Sequence, residues 1–89
     1  MLEASVESVL MSAVKAKKGR ALKLQPYVAG IPDRLVLMPG GRAFLVELKR
    51  KGEHPTIVQR VMHDRLAEMG HPVKVLRGSD EVREWVSTL

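Results

Sequence analysis

The sequence predicts a mixed α/β domain of three layers, in the order helix, strand, strand, strand, helix, strand, helix. Two apolar runs rich in strand-forming residues, 35–38 and 43–49, flank Pro39-Gly40-Gly41-Arg42, which has the composition of a hairpin connection. A helical stripe follows the second run and leads into a last strand, which is the crossover that parallel pairing demands. Further helical stripes open and close the chain.

The first stripe, Leu2, Val6, Val9, Leu10, Ala13 and Val14, ends near Lys15, Lys17 and Lys18, which suit the negative end of a helix dipole, and Gly19 is the expected stop. Residues 21–25 alternate, with Leu22 and Leu24 on one side, and read as a short strand ended by Pro26; a loop through Gly30, Ile31 and Pro32 follows. In the run 43–49, Ala43 and Leu45 share one face while Phe44, Val46 and Leu48 share the other. A strand apolar on both faces belongs mid-sheet. Thr56 is the expected N-cap of a helix whose stripe is Ile57, Val58, Val61, Met62, Leu66 and Met69, with Gly70 ending it. Residues 72–77 read as the last strand. Ser79 or Asp80 is expected to cap a closing helix with Val82, Trp85, Val86 and Leu89 on one face.

With 89 residues and 45% hydrophobic content, residues 1–89 are expected to form a single domain with a modest core and one site. A net charge of +5 on so short a chain points to a polyanion such as nucleic acid, although an anionic membrane surface or colloidal stability explains it equally well. The absence of cysteine removes disulfides and thiolate metal sites. No apolar run reaches the roughly 20 residues that span a bilayer, and the N-terminus lacks a signal-peptide layout, so a soluble cytoplasmic protein is expected. One Trp, one Tyr and one Phe argue against an aromatic platform for base stacking.

The chemistry lies where polar residues interrupt apolar strands. Glu47 and Lys49 are two apart and therefore point to the same side. Taken alone, they are also compatible with a strand end emerging into solvent. Asp33, held after Gly30-Ile31-Pro32, adds a second carboxylate if the hairpin brings it across from Glu47. That requires opposed residues whose numbers sum to 80, and hence a five-residue loop or a bulge or bend near Asp33. Two carboxylates with a backbone carbonyl and water suit a hard cation, Mg²⁺ or Mn²⁺, rather than zinc. A nearby lysine ammonium would stabilise charge on a phosphoryl transition state.

Pro32-Asp33 and Glu47-Leu48-Lys49 on this element order resemble the PD-(D/E)XK nuclease superfamily, whose restriction-endonuclease-like core is αβββαβ; the closing helix is extra. More closely, the chain resembles the VRR-NUC (virus-type replication-repair nuclease) family. The resemblance is carried by residues 30–34, Gly40-Gly41-Arg42, residues 44–49, Gln59 and Gly70, and covers almost the whole chain. It implies that Asp33, Glu47 and the Leu48 carbonyl hold the metal, that Lys49 assists attack, and that Gln59 orients Lys49, water or phosphate. Glu7 matches an acidic position of the first helix that completes the metal shell through water. Lys23 resembles a basic position of the family and, with Arg34, Arg50 and Lys51, is a candidate contact for backbone phosphates.

Other readings of these residues stand beside the resemblance. Thr56-x-x-Gln59 is a capping box, in which the glutamine reaches back to the N-cap amide. Glu7 also reads as a polar residue bordering the apolar stripe, and each of the four cations as a solvated surface charge. His63, one turn after Gln59, is placed where it could approach the site, but reads better as exposed or hydrogen-bonded.

The resemblance implies a Mg²⁺- or Mn²⁺-dependent deoxyribonuclease from a bacterium or a phage-infected cell. A domain this small has little surface for reading sequence, so selectivity is expected to rest on DNA shape. Stand-alone members that resemble it are associated with branched substrates, and a homodimer would set two sites for paired cuts. The specific expectation is a homodimeric Holliday-junction resolvase. The alternatives are a non-catalytic nucleic-acid binding module, or the nuclease component of a larger repair or restriction assembly.

Overall fold

The structure, a computed structural model, describes residues 5–89; Leu2, at the start of the first apolar stripe, lies outside them. Helix α1 is Val6–Ala16, followed by strands β1 (Arg20–Lys23), β2 (Arg34–Met38) and β3 (Arg42–Lys49), helix α2 (Ile57–Glu68), strand β4 (Val73–Arg77) and helix α3 (Gly78–Ser87). The sheet order is β1-β2-β3-β4, with β1, β2 and β3 antiparallel and β4 parallel to β3. This is the expected mixed sheet, with β3 inside it and α2 as the crossover.

Ser5 caps α1 by accepting the Ser8 amide at 3.1 Å, and Val9, Leu10 and Val14 point into the core. The helix stops with Lys18, not Gly19, in the left-handed conformation (φ 66°). Gly19 is there for space: a Cβ on it would collide with the Met38 sulfur and lie 2.6 Å from the Leu37 carbonyl.

β1 is Arg20–Lys23 rather than the expected 21–25, and the same register continues one step beyond it, where the Leu24 amide bonds the opposed Asp33 carbonyl at 2.8 Å. Leu22 on this edge strand is left exposed. The hairpin register is the one the site requires: Arg34 pairs with Val46 and Leu37 with Ala43, so opposed numbers sum to 80. Pairing runs one step further than expected, to Met38 and Arg42. The connection is therefore Pro39-Gly40-Gly41 rather than five residues, and Gly40 and Gly41 supply the positive φ angles of so tight a turn.

α1 and α3 cover one face of the sheet. The core there joins Val9, Leu10 and Val14 to Val36, Met38, Val46 and Leu76, and to Val82 and Val86 of α3. Phe44 packs edge-on to Trp85, with ring centroids 5.4 Å apart. Neither Ser79 nor Asp80 caps α3. The chain turns out of β4 through Gly78 (φ 81°) directly into the helix, so the cap position falls on Arg77, whose amide is taken by Glu81 at 3.1 Å.

α2 lies over the other face, and here the expected apolar stripe is corrected. No residue of α2 is fully buried, and Ile57, Val58, Val61 and Met69 are all exposed. The half-buried residues are Gln59, Met62, His63 and Leu66. Their i, i+3, i+4, i+7 spacing defines a stripe half polar and half apolar, because the face beneath it carries Glu47 and Lys49. Gly30 (φ 84°) fixes this helix from the loop side: a Cβ would sit 2.5 Å from the Val58 carbonyl oxygen and 3.0 Å from Met62 Cβ. Gly30→Ala is expected to cost about 2 kcal/mol through clash and strain together, a fall of roughly 10 °C in Tm. Thermal denaturation followed by circular dichroism measures it, and an unchanged Tm would mean that α2 is not held at this point.

Candidate active site

One step beyond the Arg34–Val46 pair, the register sets Asp33 beside Glu47. Two backbone contacts pin Asp33: its carbonyl accepts the Leu24 amide at 2.8 Å, and its Oδ2 accepts the Leu48 amide at 2.9 Å. The second contact ties the carboxylate of the Pro-Asp step to the middle residue of Glu47-Leu48-Lys49, and places the Leu48 backbone in the site.

Glu47 is 1% exposed. Its Oε2 accepts from Gln59 Nε2 at 3.3 Å and lies 3.9 Å from Lys49 Nζ. Its Oε1 lies 3.8 Å from His63 Nε2, and both of these buried atoms lack a hydrogen-bond partner. Burial pushes the Glu47 carboxyl up from the usual 4.5 to about 8; the adjoining Asp33 carboxyl adds to the rise and the Lys49 charge opposes it. Burial likewise lowers the pKa of the His63 imidazole, with Lys49 adding to the effect and the Asp64 and Asp33 charges opposing it.

Both readings of Gln59 hold in one side chain. Its Oε1 accepts the Thr56 amide at 2.9 Å while Thr56 caps the Gln59 amide at 3.2 Å, and its Nε2 donates to Glu47. The capping box therefore fixes the rotamer that meets the carboxylate.

Glu7 is joined to a different partner. Arg34 is 6% exposed, and its guanidinium donates to Glu7 Oε2 at 3.1 Å. By strand parity Arg34 faces α1, opposite to Asp33 and Glu47. Arg34 was expected among the phosphate-contacting cations, but a buried, paired guanidinium meets a phosphate only by breaking that pair. Lys23, Arg50 and Lys51 are exposed, Arg50 lying 4.0 Å from Glu53 in a surface pair that contributes little. A cleft of about 1100 Å³ opens where β3 and β4 end, lined by Glu7, Leu48, Lys49, Arg50, Lys51 and Arg77 among others. Asp33 and Glu47 do not line it; Lys49 belongs to both places.

Sequence reasoning missed one residue, Arg77. His63, read as exposed or hydrogen-bonded, is instead half-buried, with its buried Nε2 lacking a hydrogen-bond partner and standing 3.8 Å from Glu47. Arg77 pairs with Lys49 across the parallel register and donates to the Glu53 carbonyl at 3.0 Å, which ties the loop after β3 to the end of β4.

The site fits a hard divalent cation. Two carboxyl groups share it and Glu47 offers a buried oxygen with no partner, a donor set of hard oxygens that a cation satisfies in place of a proton. Among the described residues no group of three or more His, Cys, Asp and Glu side chains forms a metal cage. Water or phosphate oxygens would have to fill the remaining positions, as magnesium ordinarily allows.

No family model matches the chain. It is 44% identical over 79 residues to a protein of Acyrthosiphon pisum secondary endosymbiont phage 1 named "Putative nuclease p44", an alignment that spans 88% of this chain and 85% of that protein. A solved VRR-NUC domain superposes with a TM-score of 0.83 at 27% identity, covering 92% of this chain and 90% of its own. A second VRR-NUC domain protein, at TM-score 0.68 and 19% identity over 99% of this chain and 89% of its own, shares the fold. A hairpin register that sets Asp33 against Glu47, 44% identity to the phage protein over most of both chains and the superposition on the first VRR-NUC domain lead to one conclusion: the chain belongs to the VRR-NUC family of nucleases.

Proposed function

We propose that this protein is a Mg²⁺- or Mn²⁺-dependent, structure-selective DNA endonuclease that works as a homodimer on four-way junctions. The observation that carries the reading is the convergence of Asp33, Glu47 and Lys49 on one face of the sheet, with Gln59 holding Glu47. Asp33 and Glu47, with the Leu48 carbonyl, would hold the cation. A divalent cation bound there polarises the scissile phosphate and makes water a better nucleophile at neutral pH. Lys49, its side chain 15% exposed, reaches the surface beside Glu47 and neutralises charge on the phosphoryl oxygens as water adds and the leaving oxygen departs. Lys23, Arg50 and Lys51 hold backbone phosphates from exposed positions.

Dimerisation is supported by the outward side of α2. Ile57 (77% exposed), Val58 (54%) and Val61 (45%) stand on that helix, and the loop whose Gly30 abuts it carries Tyr27 (87%) and Val28 (53%). α1 and α3 spend their apolar faces on the core of the protomer, so their burial needs no second copy.

The experiment compares cleavage of labelled four-way junction, flap, duplex and single-stranded DNA in Mg²⁺, Mn²⁺ or EDTA, with light scattering of the protein alone and on junction DNA. Paired nicks in the junction by a dimer, lost in EDTA, are expected. Metal-dependent cutting of another structure would remove the resolvase assignment and keep the nuclease. Binding without cutting in any metal would overturn both.

A further inference from the structure

Glu47 Oε1 and His63 Nε2 face each other at 3.8 Å, both buried and both without a hydrogen bond. A buried polar atom left unpaired is costly, so two of them aimed at one another call for a partner or a second state. We infer that His63 is a positioning residue for Glu47: when the carboxylate holds a cation, the imidazole Nε2–H donates to Glu47 Oε1 and fixes its orientation. The inference rests on the nuclease reading above and deepens it.

Two features support it. First, the two helical neighbours reach different oxygens, since Gln59 donates to Oε2 while His63 stands at Oε1. Donors on both oxygens fix the plane of a carboxylate, which one donor leaves able to rotate, and carboxylates that ligate metals are themselves held by hydrogen bonds. Second, the gap is short of a hydrogen bond by less than about 1 Å, within reach of a small side-chain adjustment.

The test measures Mn²⁺ binding, by calorimetry and by the electron paramagnetic resonance signal of the free ion, for wild type, His63→Ala and His63→Gln. Circular dichroism melts establish that each variant is folded. His63→Ala is expected to weaken Mn²⁺ binding by about 10–100-fold. His63→Gln, whose side-chain amide is also a donor, is expected to restore affinity to within about threefold of wild type. Folded His63→Ala with wild-type affinity would overturn the inference, as would His63→Gln binding no better than His63→Ala. A glutamine variant that keeps Mg²⁺ affinity and loses only Mn²⁺ affinity would make His63 a direct ligand instead. Absence of Mn²⁺ binding by the wild type would remove the metal-dependent nuclease reading itself, and this inference with it.

Discussion

Lys49→Ala lowers the single-turnover rate of DNA cleavage in saturating Mn²⁺ by about 100- to 1000-fold, the loss expected when one donor aimed at a developing oxyanion is removed. The side chain leaves β3 on the same side as Glu47 and lies 3.9 Å from its Oε2. In the proposed reaction its charge would act twice, on the substrate phosphate and on Glu47, whose carboxyl it pulls downward against the burial that raises it. The two actions separate with pH. If the loss came only through Glu47, raising the pH to 9 would recover part of the rate, because more of the carboxyl, which titrates above about 8 once Lys49 no longer lowers it, would ionise. A direct role at the phosphate leaves the variant slow at both pH values, and this is the expected outcome. A variant within threefold of wild type at neutral pH would remove Lys49 from the reaction (about 0.7 kcal/mol at most in barrier height).

The parts of this site written in strand periodicity were legible in the sequence. Period two puts Glu47 and Lys49 on one side of β3, and the requirement that Asp33 oppose Glu47 named the hairpin register that the structure has. Loop length was less legible, because pairing ran on to Met38 and Arg42 and left only Pro39-Gly40-Gly41 to turn. The phase of α2 was misread for a physical reason. Its apolar residues suggested an inner face, but the sheet surface below carries Glu47 and Lys49 beside Leu45 and Val75, so the helix turns Gln59 and His63 inward with Met62 and Leu66 and leaves Ile57 and Val58 outside. That choice depends on the long-range neighbour, Glu47, which local periodicity does not contain. The ion pair between Arg34 and Glu7 was hidden likewise, since it joins residues 27 apart in the chain. Gln59 shows the reverse case, where the local capping signal and the distant contact with Glu47 coexist because one amide has both a donor and an acceptor.

Glu47→Gln is expected to abolish metal-dependent cleavage and, in the metal-free protein, to raise stability at alkaline pH. The folded carboxyl titrates at about 8 against the usual 4.5, so between these values the native state holds a proton that the unfolded chain has released. Stability from this group is full below about pH 4.5 and is lost as pH rises through 8. The nominal loss at 1.36 kcal/mol per pH unit approaches 5 kcal/mol, and solvent relaxation around the charge reduces it to about 2 kcal/mol. In EDTA the wild type should therefore melt roughly 10 °C lower at pH 9 than at pH 5, after subtraction of the change seen in Glu47→Gln, which lacks this titration. Mn²⁺ should raise the wild-type Tm at pH 8 and leave that of Glu47→Gln nearly unchanged, because a ligand stabilises only the state that binds it. Parallel melting profiles for the two proteins from pH 5 to 9 would show that Glu47 is not held protonated by burial. A glutamine variant that is the more stable protein at pH 9 and the inactive one would mean that the buried carboxylate opposes folding, and that its value lies in the cation it holds.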